Sequence, residues 1–231
     1  MKEFFANLVE LLYPSRCLFC GEYIEPLQNL CSDCLKYRSH NICHFCGVEY
    51  SNCKCSFKFN ALYSPFLYSE KAKAAIISIK ARGDVPLTRF FAKEISSLFC
   101  EYESKQSYDY IVPVPASKKS MRNKGFNQTE LLASEIKKHL KIPVNKQLLS
   151  RTEDSSKQHE LDHEQRAINA HHSYFIKANA ESLAGKNVIL VDDVATTGAT
   201  LDRCSGLLSK LGAVRVVALS ATVVRYKKDV F

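Results

Sequence analysis

Residues Gly185–Leu201 read GKNVILVDDVATTGATL. Val188 to Val191 is a continuous apolar run, bounded by Lys186-Asn187 before it and Asp192-Asp193 after it, and such a run predicts a strand buried on both faces. Beyond it, Thr196, Thr197, Gly198, Ala199 and Thr200 form a turn of small residues. From about Thr200 the residues Leu201, Cys204, Leu207, Leu208 and Leu211 recur at helical spacing until Gly212 ends the pattern. Strand, turn and helix in that order place the turn at the carboxyl end of a strand, where open α/β sheets bind ligands. Small side chains let successive backbone amides point at one centre, and the helix N-terminus adds partial positive charge, so a phosphate fits the turn. Threonine hydroxyls supply further donors, and Gly198 permits a backbone conformation that other residues resist. Ionised carboxylates only accept, so Asp192 and Asp193 suit the two adjacent hydroxyls of a ribose whose 5-phosphate fills the turn. Hard cations also take carboxylate oxygens, which leaves a metal as the alternative occupant.

The pattern continues outward from this stretch. Ala61 to Leu67 and Tyr108 to Val114 read as strands, the second stopping at Pro113 and Pro115, which cannot donate to a ladder. Glu70 to Lys80 reads as a helix with Ala74, Ile76 and Ile77 on its apolar side. Gln128 to Leu140 reads as another, with Asn127 as cap, Glu130 reaching back to the cap amide and Phe126 packing on Leu131 as a staple. Ala213 to Val224 supplies one or two more strands. The alternation predicts an α/β fold, a parallel sheet covered by helices on both faces, over residues 61–231. Arg151 to Arg166 holds one apolar side chain, Leu161, in a long polar run, and long loops inside compact domains are commonly lids.

The 231 residues carry a formal net charge of +8, unevenly spread. Ile111 to Ser150 contains eight Lys or Arg against two Asp or Glu, an electrostatic footprint for diphosphate or nucleic acid. Lys137, Lys138 and Lys141 fit better as a solvated helix face. No stretch reaches the ~18 to 20 apolar residues needed to span a bilayer. Glu3 and Glu10 interrupt the apolar run at the start, which argues against a secretory signal and places the protein in the cytosol. Glu3 to Tyr13 reads as a short helix packed on the protein's own body, with docking on a partner or peripherally at the inner membrane as the alternatives.

Ten cysteines in a reducing compartment point to metal rather than disulfides. Cys17 and Cys20 in CLFCG precede Cys31 and Cys34 in CSDC, and Cys43 and Cys46 in CHFCG precede Cys53 and Cys55 in CKC. Each CxxC turn puts two thiolates on one side of a knuckle, and two knuckles complete a tetrahedral zinc site. The segment 1–60 therefore reads as a double zinc ribbon with structural ions. The CxC spacing leaves the second site open, with His40 or His44 as substitute ligands or one zinc in all, and a crossed pairing of knuckles also stays open. Gly21 and Gly47 suit the sharp turns, and the isolated Cys100 and Cys204 are expected as small buried residues.

In this context VDDVATTGAT resembles the phosphoribosyl diphosphate motif of type I phosphoribosyltransferases. The resemblance implies that Asp192 and Asp193 contact the ribose hydroxyls, that Ala195, Thr196, Thr197, Gly198, Ala199 and Thr200 bind the 5-phosphate, and that Mg2+ is held mainly by the ligand's diphosphate. IVPVPASKKSMRNKGFNQTELLA from Ile111 to Ala133 and RTEDSSKQHELDHEQRAIN from Arg151 to Asn169 resemble the ComF competence family, also called ComFC or GntX-like. That resemblance covers nearly the whole chain, including the cysteine-rich start. By it, Val112 to Ser117 is the diphosphate loop, with Val114, Pro115, Ala116 and Ser117 at its centre, and the polar run around Lys157 and Gln158 is the lid. Lys118, Lys119, Arg122 and Lys124 are placed by charge to meet diphosphate or a nucleic-acid backbone. The resemblance further implies a cytoplasmic factor for natural transformation that binds phosphoribosyl diphosphate and single-stranded DNA, with a competence helicase and recombination-loading proteins as partners. The alternative is an active phosphoribosyltransferase of nucleotide metabolism. No general base or acceptor pocket is evident, since His159, His163, His171 and His172 lie in or beside the polar run, where histidines are commonly solvated.

Overall fold

The apolar run of the opening stretch becomes the middle of a parallel sheet in the computed structural model, which describes residues 14–39, 43, 55–152 and 173–225. Its strands are β1 (Ala61–Tyr63), β2 (Phe66–Leu67), β3 (Tyr110–Pro113), β6 (Asn187–Ala195) and β7 (Arg215–Val223). Between β3 and β6 in the chain, β4 (Leu149–Arg151) and β5 (Tyr174–Ile176) form a separate antiparallel pair. The order across the main sheet is β1-β7-β6-β3, with β2 also on β7, and every pair is parallel. Ala61 faces Val217 and Phe66 faces Thr222 in one continuous register. The expected strand from Ala61 to Leu67 is thus a single edge interrupted at Ser64-Pro65, where proline offers no donor. β7 is one strand, and β6 runs four residues beyond Val191, so Asp192 and Asp193 lie on the strand rather than after it.

The helices are α1 (Ser32–Leu35) in the cysteine-rich segment, then α2 (Glu70–Arg82), α3 (Val85–Glu103), α4 (Lys118–Lys124), α5 (Gln128–Leu140) and α6 (Ala199–Lys210). Strand alternation sends successive side chains to opposite faces of the sheet. Ile189, Val191, Val217 and Leu219 enter one core, with α2, α3 and α5 packed over them. Val188, Leu190, Val216 and Ala218 enter the other, under α6 and the β4–β5 pair. Both faces of the central strands are buried, as the uninterrupted Val-Ile-Leu-Val run requires.

The helices begin and end where local chemistry says they should. Ser69 accepts from the Ala72 amide to cap α2, and Gly83 closes it at φ 65°. The buried face of α2 is Ala72, Ala75, Ile76 and Ile79; Ala74 and Ile77 lie toward solvent, so the expected apolar side is off by about a third of a turn. Asp84 caps α3 through Leu87, and Pro86 follows at a first-turn position where its missing N–H costs nothing. Asn127 caps α5 by accepting from the Thr129 amide. Glu130 differs from the expected capping box: its carboxylate accepts from the Asn127 side-chain amide at 3.3 Å and pairs with Lys146 at 2.7 Å, because Asn127 has turned toward Val114. Phe126 and Leu131 both lean on Gly83, consistent with the staple. Lys137, Lys138 and Lys141 are exposed, as expected.

The cysteine-rich segment is packed onto this body. Phe19 meets Phe66, Phe91 and Phe90 at ring distances of 5.1, 5.6 and 6.0 Å. Tyr37 and Ser39 form backbone hydrogen bonds with Leu67 and Pro65, which covers the β2 edge, while residues 143–145 bond to Ile111 and cover the β3 edge. The sheet is therefore covered at β2 on one edge and at β3 on the other. Cys204 is fully buried, whereas Cys100 departs from expectation: it lies on the solvent face of α3, outside the apolar stripe formed by Phe91, Ile95 and Phe99. Among the described residues no helix is long and apolar enough to cross a membrane. The expected helix from Glu3 to Tyr13 lies outside the described residues.

Candidate functional site

β3 and β6 run together as far as Val191 and then part. The last ladder bond between them is the Val114 amide to the Val191 carbonyl at 2.9 Å. Past it, the Val114 carbonyl accepts from Thr129 Oγ1 at 2.6 Å and Asn127 Nδ2 at 3.3 Å, so the N-terminus of α5 draws Val114 to Ser117 away from the sheet. On the facing side the Asp193 amide, which a continuing β3 would have engaged, donates instead to Asp192 Oδ1 at 2.8 Å. Side chains thereby satisfy both loose strand ends, and a cleft opens at the carboxyl edge of the sheet.

The cleft encloses about 230 Å³. Val114, Pro115, Ala116 and Ser117 form one wall and Asp192, Asp193 and Thr200 another, so the structure brings the expected diphosphate loop against the carboxylate pair; of the expected 5-phosphate residues Thr200 lines the cleft, and Ala195, Thr196, Thr197, Gly198 and Ala199 do not. Gly198 has φ 78° and serves as N-cap of α6. Thr197 Oγ1 accepts from the Ala199 amide at 3.2 Å, which holds the turn. Among the described residues the amides of Thr196, Thr197, Gly198 and Thr200 have no hydrogen-bond partner, leaving donors at a helix N-terminus. Ala195 is buried as the last residue of β6 and its carbonyl accepts from the Val224 amide, a structural position.

The two carboxylates have different surroundings because alternation turns them to opposite faces. Asp193 faces α2 and α5: its Oδ2 accepts from Lys80 Nζ at 3.0 Å and Gln128 Nε2 at 3.2 Å. Asp192 faces β4, β5 and α6, where burial, then the adjacent Asp193 carboxylate, pushes its carboxyl up to about 7. Asp192 Oδ1 is taken by the Asp193 amide. One oxygen of each carboxylate, Asp192 Oδ2 and Asp193 Oδ1, has no partner among the described residues, and two such acceptors side by side match a vicinal diol.

Seven further residues line the cleft without having been expected there: Lys80, Ser120, Asn127, Gln128, Thr129, Arg151 and Tyr174. In the sequence Arg151 only begins a polar loop; in the structure it ends β4 and sits over the Tyr174 ring at 5.2 Å. Gln128 has a legible signal, since it occupies the first turn of a well-capped helix following the basic loop. Lys80 has none, because nothing near it in sequence points at Asp193. Lys118, Lys119, Arg122 and Lys124 belong to α4, which Ser117 caps. All four cations are exposed beside the cleft rather than lining it, while Ser120 of the same helix reaches the wall. Lys157, Gln158 and the four histidines of the polar run lie outside the described residues.

In the N-terminal segment Cys17, Cys20, Cys31 and Cys34 gather with their sulfurs within 4.8 Å of one another. Adjacent knuckles pair, and Gly21 turns the chain at φ 75°. A tetrahedron with Zn–S of about 2.3 Å has S···S edges of about 3.8 Å, and Cys20 and Cys31 stand 3.7 Å apart. Burial, then the neighbouring thiols, pushes the Cys34 thiol up, a cost that a bound dication removes. These residues fit a structural zinc ion with four sulfur ligands. Of the second set, Cys43 and Cys55 approach to 4.0 Å; Cys46, Cys53, His40, His44 and Gly47 lie outside the described residues.

The double zinc ribbon domain family matches residues 8–58, and the phosphoribosyl transferase domain family matches residues 125–230. Competence protein ComFC of Bacillus subtilis is 26% identical over 90% of this chain and 83% of its own length. Competence protein F of Haemophilus influenzae is 26% identical over 87% of this chain and 93% of its own. The DNA utilization protein YhgH of Escherichia coli is 31% identical over 47% of this chain and 46% of its own. With a splayed parallel sheet behind a four-cysteine ribbon, and similarity along most of its length, the chain belongs with the ComFC and competence protein F homologues, a phosphoribosyltransferase domain joined to a double zinc ribbon.

Proposed function

We propose that this protein is a ComF-like competence factor that binds phosphoribosyl diphosphate in the cleft between β3 and β6 and contacts incoming single-stranded DNA. The observation that carries the ligand is the cleft itself. Asp192 and Asp193, each with one unpartnered carboxylate oxygen, line it together with Thr200 at the start of α6 and the small-residue loop Val114–Ser117, and the open amides of Thr196, Thr197 and Gly198 belong to the turn that leads from Asp193 to Thr200. The diol of a ribose bridges Asp192 and Asp193, its 5-phosphate takes the helix N-terminus, and its diphosphate takes the loop. Magnesium enters with the diphosphate: among the described residues the only gathering of three or more metal-ligating side chains is the cysteine cluster. In the cleft the chain's own groups would hold the sugar and stabilise a departing diphosphate, the positioning half of transfer chemistry.

The relatives' names, competence and DNA utilization, support the DNA role, and the exposed cations of α4 supply charge for a phosphate backbone. The helicase and recombination-loading partners follow from the family resemblance. Calorimetric titration with phosphoribosyl diphosphate in magnesium buffer tests the first half, and a protein without heat of binding or thermal stabilisation defeats it. Binding of labelled single-stranded DNA should weaken as salt rises, and neutralising Lys118, Lys119, Arg122 and Lys124 should flatten that slope by roughly 0.7 for each phosphate they no longer neutralise. Release of diphosphate with one nitrogenous base, and no DNA affinity, would instead establish the transferase of nucleotide metabolism.

A further inference from the structure

Lys80 lies outside the residues matched by the phosphoribosyl transferase family, on a helix from the other half of the chain. Its ammonium nevertheless reaches the cleft and stands 3.0 Å from Asp193. The side chain keeps 35% of its exposure, so it is not sealed against its partner. An ammonium has three donors, and Asp193 is the one partner of Lys80 among the described residues. Lys80 lines the cavity together with Gln128 and Thr129 of α5, the helix whose N-terminus holds the Val114–Ser117 loop in place. Asp193 gains a second donor from Gln128, so the carboxylate would stay oriented even if the lysine leaned away. Lys80 also sits in the last turn of α2, where the helix dipole favours a cation, on a helix stopped by Gly83.

A lysine whose sole task was to neutralise Asp193 would have no need of an open cavity on its other side. We propose that Lys80 is a ligand-binding residue whose ammonium bridges Asp193 and the diphosphate of phosphoribosyl diphosphate, so that it selects the diphosphate ester over the plain sugar phosphate. This rests on the proposed function above. Ribose 5-phosphate has the diol and the 5-phosphate but nothing for Lys80 to hold; pyrophosphate has the reverse.

Calorimetry on the full-length, zinc-loaded protein in magnesium buffer separates these cases with three probes: phosphoribosyl diphosphate, ribose 5-phosphate and pyrophosphate. Lys80→Gln keeps a donor for Asp193 and removes the charge. It should weaken phosphoribosyl diphosphate and pyrophosphate by about 10- to 100-fold while leaving ribose 5-phosphate nearly unchanged. Lys80→Arg should restore most of the affinity. Equal losses for ribose 5-phosphate and the diphosphate ester would reduce Lys80 to a group that positions Asp193 and overturn the inference. Wild-type protein that takes pyrophosphate but not ribose 5-phosphate would overturn the ribose site and leave Lys80 as an anion anchor; binding of none of the three overturns both. A second readout needs no variant: acylation of Lys80 by an amine-reactive ester, followed by mass spectrometry, should be blocked by phosphoribosyl diphosphate and much less by ribose 5-phosphate. Equal protection by the two would count against the bridge.

Discussion

Asp192 and Asp193 are adjacent, chemically identical and opposite in circumstance. Asp193 has a lysine and a glutamine on one oxygen, whereas Asp192 faces a buried wall with an amide as its one donor among the described residues. Burial and the neighbouring carboxylate raise Asp192 to about 7 from an ordinary 3.8. A raised folded-state pKa means that the folded protein holds the proton longer than the unfolded chain, so the stability it contributes is full below the ordinary value and is lost as pH rises through about 7. Unliganded protein should therefore become less stable between mildly acidic and neutral pH. Asp192→Asn should flatten that part of the profile, measured as the denaturant midpoint against pH. A slope unchanged in the variant would place the proton elsewhere. Gly198 makes a different demand, because φ 78° strains a residue with a Cβ and most of all a β-branched one. Gly198→Val should cost about 1–3 kcal/mol and abolish thermal protection by phosphoribosyl diphosphate. Full protection in that variant would mean that the ligand sits elsewhere.

At the scale of elements, the bounds of α5 are readable to the residue, because its cap, staple and apolar periodicity all agree. α3 stands outside the sequence expectations although it is 19 residues long. Its start, Gly83-Asp84-Val85-Pro86, carries a stop, a cap and a first-turn proline, a signal legible in the sequence itself. β4 and β5 are three residues each, too short for a period to be heard, and they exist because they pack on α6. Tyr63 of β1, Tyr108 just before β3 and Arg215 of β7 converge on Glu103 at the end of α3. Its buried carboxylate accepts from Tyr108 at 2.6 Å, Arg215 at 2.7 Å and Tyr63 at 2.9 Å. Glu103→Ala leaves the Tyr63 hydroxyl without its acceptor and Arg215 with Tyr108 alone, and should cost about 3–5 kcal/mol in urea unfolding. Burial works against the charge, but the two hydroxyls and the guanidinium outweigh it and depress the Glu103 pKa. That stability is present above the ordinary glutamate value and is lost as pH falls through the depressed one, the opposite sign to Asp192. Wild type should thus lose stability in acid more steeply than Glu103→Gln, whose profile below pH ~4.5 should be flatter.

Across the whole molecule, the zinc ribbon and the sheet share one apolar core rather than meeting at a wet interface. Cys17, Phe19, Leu30, Cys31 and Cys34 belong to the same buried cluster as Phe66, Phe90, Phe91 and the β6 and β7 residues. Arg38 adds an ion pair to Glu94 at 2.8 Å. Chelation of zinc should accordingly lower the main unfolding transition, not merely detach the N-terminal segment, and Phe19→Ala should cost about 3–5 kcal/mol. Two well-separated calorimetric transitions, with the later one untouched by chelator, would show that the shared core is not cooperative. The cysteine spacing, the apolar run of β6 and the small-residue turn each act through neighbours a few residues away, so a zinc ribbon, a buried parallel strand and a turn suited to phosphate can be read along the chain. That Lys80, Gln128, Arg151 and Tyr174 stand around Asp192 and Asp193, and that β3 parts from β6 to make room between them, follows from long-range packing and is not written in any local stretch. The reason is that a cleft is formed where chain segments diverge in space, and what neutralises a buried carboxylate depends on which distant helix the packing brings over it.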